Sequence, residues 1–165
     1  MPHLRRPTLA ARHPVHVTLR VGPGVGYLRS QRRAEVLAQA FRDAQLRFGL
    51  RIVHYSIQGA HLHLIVEAAG AASLSRGMQG LCIRIARRLN ALSGRAGRVF
   101  VDRYHAHVLG SRREVANAVR YLLDNFRHHS REPLPRRWSD PLSTAAAPLC
   151  APGTWLLRMA GKAAW

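Results

Sequence analysis

A single α+β domain built on a four-stranded antiparallel sheet is predicted by three observations. Short runs alternate apolar and polar residues near Val15–Val21, Ile52–Ile57 and His61–Glu67. Longer segments between and after them place apolar residues at helical spacing. The length of 165 residues fits one domain. The resulting order is β-α-β-β-α-β, followed by a third helix.

Each element has its own signal. Val15, Val17, Leu19 and Val21 make one face of a first strand, broken by Gly22, Pro23, Gly24 and Gly26. Val36, Ala40, Phe41 and Ala44 form the stripe of a helix over 32–48, with Gly49 as its stop. Ile52–Ile57 and His61–Glu67 are joined by Gln58-Gly59-Ala60 and read as a hairpin. Gly70–Ser75 is a small-residue loop, with Ser73 or Ser75 expected to cap a second helix. That helix carries Met78, Leu81, Cys82, Ile85, Leu89 and Leu92 on one side. After a turn at 93–97, Val99–Leu109 reads as a fourth strand, interrupted near Arg103. Ser111 and Glu114 form a capping box that opens a third helix, reaching about His128. The first six elements follow the ferredoxin-like order, with both helices on one face of the sheet. The expected organisation is a basic arm (1–13), a folded domain (14–129) and a tail (130–165) rich in Pro, Arg and small residues, read as irregular structure packed on the domain or partly disordered.

Composition narrows the function. Lys and Arg total 26 against 8 Asp and Glu, a formal charge of +18, and Lys162 is the single lysine. Such a charge favours a polyanionic partner, and arginine forks onto phosphates. Codon bias accounts for arginine over lysine but not for the excess over acids. Cys82 and Cys150 are too few and too far apart for a disulfide framework or a cysteine zinc site. No run reaches the roughly 18 apolar residues of a membrane span, and the basic N-terminus lacks a signal-peptide apolar stretch. A soluble, cytoplasmic protein is expected.

The most informative feature is His61-Leu62-His63. Strand alternation turns both imidazoles to one face, with Leu62, Leu64 and Val66 turned into the core. Two imidazoles on one rigid strand are half of a metal site. If the first two helices cover the leucine face, the histidines lie on the other face, and the third helix is free to lie beside them. That helix places Asn117, Tyr121 and Asn125 on one stripe, opposite Val115, Ala118, Val119, Leu122 and Phe126. A phenol is a nucleophile and an amide oxygen is a third ligand. A divalent ion on His61, His63 and Asn125 would hold a scissile phosphate as Lewis acid while Tyr121 attacks phosphorus. Imidazole plus amide acting on phosphate suits Mg²⁺ or Mn²⁺.

These motifs resemble the HUH-type single-tyrosine transposases, in particular the REP-associated tyrosine transposases and their insertion-sequence relatives. The likeness runs through His61-Leu62-His63, Met78-Gln79-Gly80-Leu81, Arg87-Arg88-Leu89-Asn90, Gly97-Arg98-Val99-Phe100, Asp102-Arg103-Tyr104-His105, Val119-Arg120-Tyr121-Leu122-Leu123-Asp124-Asn125 and Thr154-Trp155-Leu156-Leu157-Arg158. The resemblance implies metal-binding histidines at 61 and 63, a nucleophile at Tyr121 and an amide ligand at Asn125. It also implies single-stranded or hairpin DNA as partner, a 5′-phosphotyrosine intermediate, and a monomer or homodimer. Ala60 and Phe126 stand where many relatives carry Asn and Asn-Pro, flanking the ligands.

Other assignments stay open on sequence alone. His105-Ala106-His107 repeats the histidine spacing without the hairpin context. Tyr104 and Tyr55 are rival nucleophiles, and Glu67 shares the histidine face, to meet either a metal or an arginine. Arg76, Arg84, Arg87 and Arg88 are candidate phosphate contacts, with a solvated face as the plain alternative. A non-catalytic nucleic-acid-binding module and a water-using phosphodiesterase are the rival functions.

Overall fold

A computed structural model describes residues 8–164, and the side chains of that range up to 160. The elements are β1 (Val15–Arg20), α1 (Gln31–Ala44), β2 (Leu50–Ile57), β3 (His61–Ala68), α2 (Ala71–Ser93), β4 (His105–Val108), α3 (Arg112–His129) and α4 (Trp155–Ala164). The strands form one antiparallel sheet in the order β2-β3-β1-β4. The ferredoxin-like α+β fold expected from the element order is therefore the one observed.

Strand alternation divides the molecule into two cores. Val15, Val17 and Leu19 of β1 join Leu62, Leu64 and Val66 of β3 under α1 and α2. α1 contributes Ala34, Leu37, Ala40, Phe41 and Ala44, and α2 contributes Leu74, Met78, Leu81, Ile85 and Leu89. On the other face, Val53 and Ile65 meet Leu109, Val115, Val119 and Leu122 together with Leu157 and Ala160 of α4. A bulge in β2 between Ile52 and His54 lets Ile52 join the first core and Val53 the second. α3 thus closes over the histidine face. Its capping box forms as expected: Glu114 N donates to Ser111 Oγ at 3.2 Å, and Glu114 Oε2 accepts from Gly110 N at 2.9 Å.

Three elements differ in their bounds from expectation. α1 stops at Ala44 rather than near Phe48, because the Gln45 amide turns back to bond both the N–H and the carbonyl of Ile52. The chain then turns through left-handed Leu46 (φ 62°) and Phe48 (φ 56°). α2 begins at Ala71 behind Gly70, so neither Ser73 nor Ser75 caps it. The fourth strand is reduced to His105–Val108. Phe100 still bridges Val21, and the chain leaves the sheet between them, as the interruption near Arg103 anticipated.

The tail packs on the domain, the first of the two arrangements expected for it, and it also contains a helix. Its backbone runs beside β2: Ile57 N donates to Leu142 O, Thr144 N to Tyr55 O and Leu149 N to Val53 O. It thereby covers an otherwise open sheet edge. It ends in α4, and a buried carboxylate meets the two N–H groups just before that helix: Glu67 accepts from Gly153 N at 2.8 Å and from Thr154 N at 2.7 Å. Arg29 fastens the same tail with a bidentate pair to Asp140, both contacts at 2.9 Å, while its guanidinium lies 3.6 Å from the centroid of Phe126. Of the expected N-terminal arm, residues 1–7 lie outside the described residues, as does Trp165 of the tail; Ala10 bridges Gly70.

Two substitutions test this packing. A Cβ at Gly77 would stand 2.5 Å from the Leu50 Cβ, backed by the strand itself. Gly77→Ala should therefore cost about 1–3 kcal/mol in chemical denaturation, despite the helix preference for alanine. Asp140→Ala leaves the buried Arg29 guanidinium unpaired and should cost about 3–5 kcal/mol. A melting temperature unchanged by Asp140→Ala would show that the tail docks without this pair.

Candidate active site

The register of the sheet assembles the site. His63 of β3 lies between Thr18 of β1 and Ser56 of β2, and His61 pairs with Arg20. Both histidines face α3, as alternation required, with ring centroids 6.4 Å apart. His63 is buried and His61 partly open. Above them the Tyr121 ring stands 5.8 Å from that of His63 and nearly perpendicular to it (84°). Tyr121 is 47% exposed.

Asn125, one turn beyond Tyr121, is buried, and its Nδ2 has no hydrogen-bond partner. A buried amide left incompletely bonded is costly in a purely structural role. Asn117 is exposed.

Burial lowers the pKa of the histidines on this face. His63 is pushed down to about 4, first by desolvation and then by His16, His61 and His129. His61 is lowered by its own desolvation, then by Arg20 and His129. Both are therefore neutral at pH 7, with lone pairs available. Among the described residues, no group of three or more His, Cys, Asp or Glu is arranged to hold a metal ion. A metal centre here would depend on the two imidazoles of β3 and an amide from α3.

The other candidates are placed elsewhere. Tyr55 packs against Phe41 at 4.8 Å in the core on the far face, and burial raises its pKa. Tyr104 packs against that same core. Glu67 is engaged with Arg51 and the start of α4. His105 and His107 are exposed on β4, and His107 lies 3.9 Å from Glu114. Arg76, Arg84, Arg87 and Arg88 ride on α2, in the layer across the sheet from Tyr121; Arg76 and Arg87 are exposed, and Arg88 pairs with Asp43. Sequence reasoning passed over His16, Thr18 and Arg20. The alternation of β1 already marks them as the polar side of that strand, facing the same way as the histidine pair.

With this geometry in place, the comparisons define the class of protein. The family model described as "Transposase IS200 like" matches residues 11–125. The chain belongs to that family of transposases. A solved REP-associated tyrosine transposase bound to a REP hairpin is similar in fold, with a TM-score of 0.67 at 17% identity, covering 87% of this chain and 82% of that one. A putative transposase from Deinococcus radiodurans R1 gives a TM-score of 0.47 at 17% identity, over 73% of this chain and 95% of that one. No curated protein matches the sequence. No helix among the described residues is long and apolar enough to cross a membrane.

The histidines make stability depend on pH. His54, hydrogen-bonded to Thr144 at 3.1 Å, is also held near pH 4 by desolvation. Against an unfolded value near 6.5, the unfolded chain binds more protons between pH 6.5 and 4. Stability should be flat above pH 7 and fall as the pH drops through that window, by up to about 3 kcal/mol for each of His54 and His63. Thermal melts in EDTA read this directly. A midpoint that holds or rises between pH 6.5 and 4 would refute the buried neutral imidazoles.

Proposed function

We propose that this transposase cleaves and rejoins single-stranded DNA through a covalent 5′-phosphotyrosine on Tyr121. The observation that carries the reading is the Tyr121 ring standing 5.8 Å from His63 on the polar face of the sheet. Phosphoryl transfer to a phenol needs a nucleophile held by a rigid element beside a centre that neutralises phosphate charge. α3 supplies the first, fixed by its capping box and its packing on Ile65 and Val53. His61, His63 and Asn125 would hold Mg²⁺ or Mn²⁺, which supplies Lewis-acid stabilisation of the phosphate oxygens when bound.

In the forward step the Tyr121 oxygen bonds to phosphorus and loses its proton, and the bond from phosphorus to the 3′ oxygen breaks. That oxygen leaves as a 3′-hydroxyl after taking up a proton. Reversal by another strand's 3′-hydroxyl restores the phenol, so rejoining needs no external energy source. Tyr121 meets His63 of its own chain, which supports action in cis by a monomer or by each half of a homodimer.

DNA is the polyanion that the charge of +18 favours. The similar REP-associated enzyme, solved with a hairpin, makes hairpin DNA the first substrate to try. Exposed Arg20, Arg112, Arg113 and Arg120 lie on β1 and α3, the elements that carry or border the site. Arg76 and Arg87, on the opposite layer, would reach only DNA that wraps around the domain. Arg84 and Arg88 are half-buried, and Arg88 joins α2 to Asp43 of α1.

Incubation of the full chain with labelled hairpin-bearing single strands and Mn²⁺, followed by a denaturing gel, tests the reading. A labelled species at protein size is expected, lost with EDTA and lost in Tyr121→Phe while DNA binding persists. Tight binding without an adduct across a hairpin library would favour a binding module on the same fold. Cleavage without an adduct would favour a water nucleophile.

A further inference from the structure

The side of His63 that faces β1 is crowded. Its Nδ1 lies 3.3 Å from His16 Nε2 and 3.4 Å from Thr18 Oγ1. Thr18 is the direct cross-strand partner of His63; His16, paired with Ile65, reaches it diagonally. The His16 ring is half-buried, 5.5 Å from the His63 ring and 6.1 Å from the Tyr121 ring. An Nδ1 with two protein atoms at hydrogen-bonding range has no room for a metal bond of about 2.0–2.2 Å. Any ligand role of His63 must then fall to Nε2, on the far side of the ring.

A neutral imidazole carries one proton, so its two nitrogens are coupled. If His63 Nδ1 donates to His16 Nε2, the proton is fixed on Nδ1 and Nε2 keeps its lone pair. If the bond runs the other way, Nε2 carries the proton and binds no metal. We propose that His16 is a positioning residue for the metal centre: its Nε2 accepts from His63 Nδ1–H, setting the tautomer and ring orientation that make His63 Nε2 a ligand. This rests on the metal-assisted reading above. Thr18 limits the ring's rotation from the same strand. Partners of this kind, one step back from a ligand, fix which nitrogen of an imidazole is presented.

The test reads the tautomer first and the metal second. Long-range ¹H–¹⁵N correlation spectra of the ¹⁵N-labelled full chain at pH 7.5, without metal, should show His63 protonated on Nδ1 and bare on Nε2. His16 should also be bare on Nε2. In His16→Phe, which keeps a ring but removes the acceptor, Mn²⁺ affinity by calorimetry should fall about 10–100-fold. His16→Gln, which retains an acceptor, should recover part of that loss. A wild-type His63 protonated on Nε2 overturns the proposal, as does unchanged Mn²⁺ affinity in His16→Phe. The expected tautomer with no Mn²⁺ binding by the wild type would instead overturn the metal centre, and with it the purpose assigned to His16. The wild-type spectrum decides the hydrogen bond even if both variants fail to fold.

Discussion

The pairing of β1 with β3 is the constraint on which the rest of the molecule depends. Its register sets Thr18 opposite His63 and Arg20 opposite His61. Because side chains alternate, the same register sends Val17 and Leu19 with Leu62 and Leu64 into the core beneath α1 and α2. A slip of one residue would exchange the two sets, burying imidazoles among leucines and exposing the leucines to α3. Folding and site assembly are therefore one event: the apolar face selects the register, and the register builds the polar face.

Covering the polar face requires more than one helix. α3 brings Tyr121 over the histidines, with Asn125 buried one turn further on, and its own apolar side needs a second layer, which α4 provides through Leu157 and Ala160. Glu67 ties that layer to β3, the strand that carries the histidine pair, by meeting the two N–H groups just before α4. Arg29 joins the tail to β2 through the carbonyl of Ile57 and to α3 through Phe126. The tail thus closes the exposed edge of β2 and supports the helix bearing the proposed nucleophile. Arg127 of α3 adds to this fastening, donating to the carbonyls of Leu134, Pro135 and Trp138 in the tail.

Charge is arranged unevenly across the sheet. The α2 arginines lie on the layer away from Tyr121, and Arg88 ties α2 to α1 through Asp43. The face of Tyr121 has its own cations on β1 and α3. A net charge favours a polyanionic partner and leaves open on which side it would lie, because charge is a property of composition and the side is a property of folding.

Local periodicity is what the sequence settles by itself. Val15/Val17/Leu19, the Leu62/Leu64/Val66 set and the α2 stripe each specify an element and its buried face from neighbours within one or two turns. The element order specified the sheet, and Ser111 with Glu114 specified the start of α3. His61 and His63 sharing a face, and Tyr121 and Asn125 sharing a stripe, followed from the same rule. Only the tertiary structure decided what depends on distant partners. Gln45 ends α1 by bonding Ile52 across a turn, Glu67 accepts from Gly153 N, 86 residues away, and a Pro- and Ala-rich tail finds the edge of β2. His16 belongs to this second group: alternation shows which way it points, but only the register of β1 on β3 brings its nitrogen to 3.3 Å from His63. Periodicity is written in adjacent residues, whereas long-range hydrogen bonds and ion pairs come into being only when the packed layers fix their partners' positions.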